Sequence, residues 1–562
     1  MRQPRQLCVR AYDGAHVRLD RRRAVAMPAL LQRLTRRLRR GARERDSYRA
    51  FHAEVEPKLA ARPIVHRFAL PPVVGDCALR GPDLAVCIDP AGPGDAAATR
   101  ASLERQTVRP AAVLDCAAEE ALDATRAPWV VMVEAGDRLA DYALERLGQA
   151  AVLAPDAAVI TTDDDRVDRR GTRADPRCAP GPSPDALISS GLGGPPVAVA
   201  REAALDTGAA AGPAWAFELL LRLAGPAGSG HAHVPLILVH RASRPDPDSG
   251  TLRAAGERAL AAWGEPGARV ERAAAGARRV RRPVPGDPSV EVIVCFRDRP
   301  ELLERSAGSL LERTTHERLA VRLVDNASSD PQTARLLERL SGDSRVSVQR
   351  DASPFNFAAL NNRAASASHA DFLVFLNSDT EVIEPEWIEG LLEEAARPEV
   401  GSVAPLLLRP DGRVQHAGAA IGLHGWAGHP FAGLAPDRST AFGTAQDGTR
   451  NWLAVTAACL MVERGKWEAV GGFDEGFAVG GNDVDLGLRL TAVGQRSLCV
   501  PHVRVVHDES ATRDPSAIPP GDFARSRERY GAYRTVGDPF YNPNLTLTDT
   551  DCGLRGAAEL AP

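Results

Sequence analysis

The sequence predicts an α/β protein: two tandem Rossmann-like units with mostly parallel sheets, preceded by a basic helical segment. Two observations carry this. Strand-like apolar runs alternate with helix-like stretches from about residue 83 and again from residue 290, the pattern of βαβ units. The two stretches also match each other. SLERQT (102–107) matches SLLERT (309–314), VLD (113–115) matches LVD (323–325), and APWVVMVEAGD matches ADFLVFLNSD in type. AWAFELLLRL (214–223) matches GNDVDLGLRL (481–490), and HVPLILVH matches CVPHVRVVH. A period of over two hundred residues is a tandem pair of domains and not a solenoid.

Taken in order, the first fifty residues hold fifteen Arg against four acids. PALLQRLTRRLRRGARER puts Leu30, Leu31, Leu34 and Leu38 near one helical face. Such a helix either packs on its own protein or lies on an anionic membrane surface. No reading motif with interleaved aromatics accompanies the charge, so no nucleic-acid partner is expected. LAVCI (84–88) and APWVVMV (127–133) read as buried strands. Asp163, Asp164 and Asp165 are expected to start a turn leading into a hairpin with Gly171. FELLLRLAG (217–225) reads as a buried helix and HVPLILVH (233–240) as a strand. Residues 246–288 shift to Pro, Arg, Gly and Ala and read as a connector with one helix, stopped by Gly264. The expected divisions are a basic segment (1–75), a first domain (76–245), the connector (246–288), a second domain (289–548) and a tail (549–562).

The second unit runs VEVIVCF, PELLERSAGSLLER, RLAVRLVD, PQTARLLERLSG, VSVQRD and NFAALNNRAASAS before ADFLVFLNSDTE. In that last stretch the run Phe372 to Leu376 is apolar throughout, as in a strand covered on both faces. It ends in Asn377, Asp379 and Glu381. Carboxylates there lie where open α/β sheets bind ligands, and they suit a divalent metal that bridges to phosphates.

Bulk properties narrow the classes. The 562 residues carry a net charge of −4, so the whole chain is no polyanion binder. Nine cysteines form no CxxC pair, which removes zinc-ribbon and thioredoxin-like readings and suggests reduced thiols in the cytosol. No apolar run approaches the ~20 residues of a membrane span, and no signal-peptide apolar region opens the chain. A cytoplasmic protein is expected, peripheral at the inner face of the membrane if the basic helix binds lipid.

From Val290 to Leu547 the second unit resembles the family 2 glycosyltransferases of GT-A fold, in particular their bacterial rhamnosyltransferase-like branch. The carriers are CFRDRPELL, LVDNASSD, PFNFAALNN, FLNSDTEV, VQHAGA, LAVTAACLMV, VGGFDEGF, GNDVDLGLRL and VVHDES. The resemblance implies two tandem GT-A domains and an inverting, metal-dependent transfer from a nucleoside-diphosphate sugar. The acceptor would be a glycan or lipid-linked hydroxyl in cell-surface polysaccharide synthesis. By the same resemblance Asp325 would read the nucleotide base, with Arg297, Arg299 and Asn361 or Asn362 facing the donor. Asp379 would be the anchor of a DxD-like metal site (Mg2+ or Mn2+) with Asn377 in place of its first Asp. His507 would join it, and Asp483 would be the base, with Asn482 in place of the family's Glu. These roles fit the chemistry: charge on a leaving diphosphate needs a cation, and the acceptor hydroxyl needs a base. Asp485 is expected to favour the helix start, and His416, in a Gly-rich region with His424 and His429, to help bind acceptor.

In the first unit Ala216 falls opposite Asp483. Glu134-Ala135-Gly136 falls opposite 377–379, with Asp137 one position late. His240 stays opposite His507, and Asp115 keeps the base-reading position. A degenerate copy is expected. The alternative is a catalytically weak glycan-binding scaffold built from both domains.

Overall fold

A computed structural model describes residues 44–62, 79–190, 197–209, 212, 214–244, 250–273, 276–508 and 518–560, with the backbone of four short strands at 7–10, 16–19, 65–66 and 73–74. The leucine face at Leu30, Leu31, Leu34 and Leu38 lies outside the described residues. Leu7–Arg10 pairs antiparallel with His16–Leu19, so the amino-terminal segment is not helical throughout. Residues 44–60 are helical, and Tyr48, Phe51, Val55 and Leu59 enter the core of the first unit. No helix among the described residues is long and apolar enough to cross a membrane.

The first sheet contains β1 (Leu84–Asp89), β2 (Ala112–Asp115), β3 (Trp129–Glu134), β4 (Arg138–Leu139), β5 (Val159–Val167), β6 (Arg173–Arg177), β7 (Ala198–Ala200) and β8 (His231–Arg241). Their spatial order is β2-β1-β3-β7-β5-β8-β4, with β6 beside β5. Strands β2, β1 and β3 are parallel, β7 runs against both neighbours, and β5 and β8 are again parallel. Helices α1 (Pro184–Ser190), α2 (Trp215–Ala224) and α3 (Gly250–Ala262) belong to this half. A hairpin of β9 (Arg269–Arg272) and β10 (Arg278–Arg281) follows. Residues 246–288 therefore carry more than the one expected helix. Leu260, Val270 and Val280 share a buried cluster with Leu219 and Leu220 of α2, so this stretch completes the first core.

The second sheet contains β11 (Val290–Phe296), β12 (Leu319–Asp325), β13 (Val346–Arg350), β14 (Phe372–Leu376), β15 (Thr380–Val382), β16 (Val400–Leu408), β17 (Val414–His416), β18 and β19 (Ala420–Ile421 and Ala427–Gly428, a separate pair), β20 (Arg450–Trp452), β21 (Cys459–Glu463) and β22 (Arg496–His507). Its order is β13-β12-β11-β14-β21-β16-β22-β15, with β17 beside β16 and β20 beside β22. This is the first order repeated strand for strand, with β13 added at the edge. The β14 residues FLVFL are buried at every position, because helices cover both faces; this is why the run does not alternate. Helices α4 (Pro300–Arg313), α5 (Phe357–Ser366), α6 (Asn482–Ala492) and α7 (Pro520–Val536) are among those of this half. Both halves have the α/β architecture, with largely parallel central strands, that the sequence predicts.

The aspartate trio lies elsewhere than expected. Asp163, Asp164 and Asp165 are buried inside β5, and the turn comes later, where the Gly171 N–H donates to the Asp168 carbonyl at 2.9 Å. Asp163 joins the two halves: its carboxylate accepts from Asn542 Nδ2 at 2.8 Å and Asn544 Nδ2 at 2.7 Å, and from the Ala179 N–H at 2.9 Å. Asp165 accepts from Tyr48 Oη and Arg173. A second junction centres on Asp185 of α1. It is 2% exposed and meets the guanidinium of Arg397 at 2.6 Å, that of Arg496, and that of Arg282 at 3.6 Å. Burial alone would raise its pKa, but the three guanidiniums outweigh that and hold the carboxyl well below the ordinary range.

Candidate active site

The site lies at the carboxyl end of β14. There the Asn377 N–H donates to the Ala458 carbonyl at 2.9 Å, and Thr380 Oγ1 to the Asn377 carbonyl at 2.7 Å. This tight turn delivers the chain into β15, which pairs antiparallel with the last residues of β22, Thr380 opposite His507. The pairing brings together two residues far apart in sequence. Asp379 Oδ1 lies 3.3 Å from His507 Nε2, and Asn377 Nδ2 lies 3.4 Å from the same nitrogen. Asp379 and His507 are 3% and 6% exposed, and the buried His507 Nδ1 has no hydrogen-bond partner. A buried carboxylate facing Nε2 of a buried imidazole is a pair that could hold a divalent cation whose other ligands come from phosphate and water. Among the described residues no group of three or more His, Cys, Asp or Glu gathers to hold a metal alone. Glu381 is not part of this pair: it turns to Arg313 of α4, 3.1 Å away.

Asp483 occupies the second position of α6. Gly481 precedes the helix with φ +92°, and a Cβ there would stand 2.9 Å from both Ser526 Oγ and Tyr530 Oη of α7. Glycine is required by both the backbone and the space. Half-buried Asp483 accepts from the Val484 N–H at 2.8 Å and the Ala457 N–H at 3.3 Å. Ala457 adjoins Ala458, which binds Asn377, so Asp483 and the Asn377–Asp379 turn share one short segment. Asn482 is buried, with Nδ2 unpartnered.

Other predicted residues fall as follows. Asp325 ends β12, 2% exposed, and accepts from the Ser328 N–H at 2.7 Å and Arg350 Nη1 at 2.9 Å. Arg297 is exposed beyond β11. Arg299, also exposed, takes φ +58° at the start of α4 beside Glu301. Asn361 is buried against β11, accepting from Cys295 Sγ and donating to the Phe357 carbonyl. Asn362 binds both the N–H and the carbonyl of Phe473, at 2.9 Å each. Both asparagines are thus engaged with protein groups.

His416 is fully buried in β17, so direct contact with an acceptor is not its part. Its Nε2 accepts from the Thr456 N–H at 3.4 Å, and its Nδ1 lies 3.0 Å from His429 Nδ1. Burial first, then His429 and His507, push its pKa well down, so it is neutral. Asp485 is 1% exposed and bridges Arg489 at 2.8 Å and Arg529 of α7 at 3.0 Å. Its counterpart Glu218 does the same in the first half, with Arg222 at 2.8 Å and Arg258 of α3 at 2.6 Å. This repeated clamp makes Asp485 a helix anchor.

One residue escaped the sequence reading. Asp522, in the first turn of α7, accepts from the N–H groups of Ala478, Val479 and Gly480 at 3.1, 2.9 and 2.9 Å. It holds the loop that enters α6. An acid at a helix start is ordinary, so nothing in its spacing pointed across to Asp483.

In the first half, α2 starts at Trp215 as α6 starts at Asn482, which puts Ala216 where Asp483 stands. The β4–β8 register sets Arg138 opposite His240, as Thr380 is opposite His507. Asp137 is therefore the positional equivalent of Asp379, reached by a turn one residue longer. It is bound by Arg241 at 2.9 Å. Asp115 pairs with Arg100.

These features define a Rossmann-like α/β protein with its site at the carboxyl ends of parallel strands. The sequence profile described as Glycosyl transferase family 2 matches residues 291–435. The chain is 32% identical over 241 residues to the N-acetylglucosaminyl-diphospho-decaprenol L-rhamnosyltransferase of Mycobacterium tuberculosis, covering 38% of this chain and 75% of the relative. It is 42% identical over 456 residues to the O-antigen biosynthesis protein RfbC of Myxococcus xanthus, covering 78% of this chain and 35% of that one. It is 33% identical over 458 residues to the uncharacterized protein y4gI of Sinorhizobium fredii, covering 77% and 50%. The chain belongs to glycosyl transferase family 2. It spans between a third and a half of the length of the two relatives with the longest matches.

Proposed function

We propose that the second half is an inverting, metal-dependent glycosyltransferase that moves a sugar from a nucleoside diphosphate to a hydroxyl of a lipid-linked glycan in cell-surface polysaccharide synthesis. The observation that carries this is the shared segment Ala457–Ala458, which binds Asp483 on one side and Asn377, at the start of the turn that leads to the Asp379–His507 pair, on the other. Asp379 and His507 would hold Mg2+ or Mn2+ together with the donor diphosphate. When bound, the cation offsets negative charge on the leaving diphosphate. Asp483 takes the proton of the acceptor hydroxyl as it attacks. A single carboxylate with no second nucleophile suits direct displacement, hence inversion. Asp325 would accept from the nucleotide base. The names of the rhamnosyltransferase and O-antigen relatives support a deoxyhexose donor and a diphospho-lipid acceptor. The first half is read as a degenerate copy, since Ala216 cannot accept a proton. The basic amino terminus would supply peripheral contact with the inner face of a membrane.

The neutral residues Asn377 and Asn482 favour a second reading, a glycan-binding scaffold without turnover. A donor panel assayed for nucleotide release separates the two. Release that needs metal, and that Asp379→Ala and Asp483→Asn each abolish, supports the enzyme; glycan binding without release from any donor supports the scaffold.

A further inference from the structure

Helix α7 carries four arginines with two different fates. Arg525 and Arg529 bridge Asp474 at 3.2 and 3.4 Å, and Arg529 also reaches Asp485. Arg527 and Arg534 are exposed, and among the described residues neither has a carboxylate partner. Both stand instead over one indole, Trp426, at 5.8 and 5.2 Å from the ring centroid. Two like charges over one ring repel each other, and a cation–π contact at an exposed site is worth only about 0.5–1 kcal/mol. A doubly charged anion would resolve the repulsion.

Trp426 is held in place for such a role. It lies in the tip between β18 and β19, where Gly422 donates to its carbonyl at 2.7 Å and its own N–H donates to Leu423 at 3.1 Å. His424, at φ +53°, fixes the tip by donating its N–H to the Leu547 carbonyl at 2.7 Å. Phe523 of α7 packs against the indole at 5.0 Å, leaving an aromatic surface beside the two cations. The patch adjoins the site. Tyr530 lies on the same helix face, and its hydroxyl is the neighbour of Gly481. Val484, next to Asp483, packs with Tyr530 and Ile421, and Ala427, next to Trp426, packs against them. Arg527 and Arg534 are three and four residues from Tyr530, about 4.5 and 6 Å along the axis.

We infer that Trp426, Arg527 and Arg534 form an acceptor subsite that binds the diphosphate of a lipid-linked glycan, with Phe523 flanking its apolar chain. The inference rests on the transferase reading and names the acceptor's anchoring group on the Asp483 side. Arginine forks match phosphate oxygens.

Calorimetry on the full chain with farnesyl diphosphate, in EDTA so that the donor's metal site is silent, tests this. The wild type should bind farnesyl diphosphate and not farnesol. An R527Q/R534Q double variant, checked for wild-type melting, should bind about tenfold more weakly or worse. Arg534→Glu gives a second variant with the same expectation. Absence of binding in the wild type, or equal affinity in both variants, would overturn the subsite. So would variants that lose only binding to phosphatidylglycerol vesicles, since that result assigns the patch to a membrane surface. Metal-dependent nucleotide release by the wild type is read separately: its absence sinks the transferase reading, while its presence beside a failed binding assay sinks the subsite alone.

Discussion

In the first half the Arg241 guanidinium binds the Asp137 carboxylate at 2.9 Å with both groups buried, at the position where the second half sets Asp379 beside His507. Arg241 follows His240 in the chain as Asp508 follows His507. A fixed positive charge thus stands beside Asp137, where the second half sets the imidazole of His507 3.3 Å from Asp379. His240 is also bound, its Nδ1 2.8 Å from Asp165, whereas the buried His507 Nδ1 has no hydrogen-bond partner.

Arg241→Ala should therefore act on stability. It strands a buried carboxylate, a change that costs about 3–5 kcal/mol. Chemical denaturation should show that loss, and the double variant R241L/D137L should recover most of it. A donor-hydrolysis rate that rises in Arg241→Ala/Ala216→Asp would show the first copy to be a blocked site. No gain at all, with wild-type stability, would remove the Asp137–Arg241 pair from the account.

Asp522 should affect rate more than donor affinity. Its carboxylate gathers three N–H groups of the loop entering α6, and each left unpaired costs about 1–3 kcal/mol. In Asp522→Ala the loop relaxes and Asp483 loses its fixed position. We expect kcat to fall by about tenfold or more while KM for the donor changes little. Asp522→Asn keeps one acceptor oxygen and should recover part of the rate. Equal kcat in wild type and Asp522→Ala would show that the loop holds its shape without this residue.

Much of this architecture was legible beforehand, for identifiable reasons. A strand buried on both faces writes itself as FLVFL, and a duplicated helix start writes itself as AWAFELLLRL against GNDVDLGLRL. The residues of Asp379, Asp483 and His507 were visible as motif members. Their juxtaposition depends on the β15–β22 pairing, which no local pattern encodes. The same limit misplaced the Asp163–Asp165 trio. Three consecutive acids look like a solvated turn, and only partners distant in sequence, such as Asn542, Asn544, Arg244 and Tyr48, make a buried strand of them. Asp137 appeared one position late because a longer turn restores its register only in the sheet.

The Asp185 junction predicts an acid limit. Its folded pKa is depressed, so its contribution to stability is present above the unfolded value near 3.9 and is lost as pH falls through the lower folded value. Melting temperature should drop steeply below about pH 4 in the wild type. Asp185→Asn, which cannot ionise, should be less stable at pH 7 and show a flatter dependence on pH below 4. Parallel curves for the two proteins would contradict the assignment.

The two junctions together bear on whether the second half stands alone. Asp185 in α1 holds Arg397 and Arg496 of the second half, and Asp163 in β5 is bound by Asn542 and Asn544 near the carboxyl end. A fragment of residues 285–562 would keep those arginines and asparagines and lose both carboxylates. Its guanidiniums would gain water but lose the geometry that fixes β16 and β22, the strand that ends in His507. We expect the fragment to melt well below the full chain and to bind nucleotide and metal more weakly, as calorimetry on both would read. In the full chain, N542A/N544A leaves Asp163 with His233 and the Ala179 N–H, and should lower stability by about 1–3 kcal/mol. A fragment with the melting point and nucleotide affinity of the full chain would show that the first half is no brace for the site.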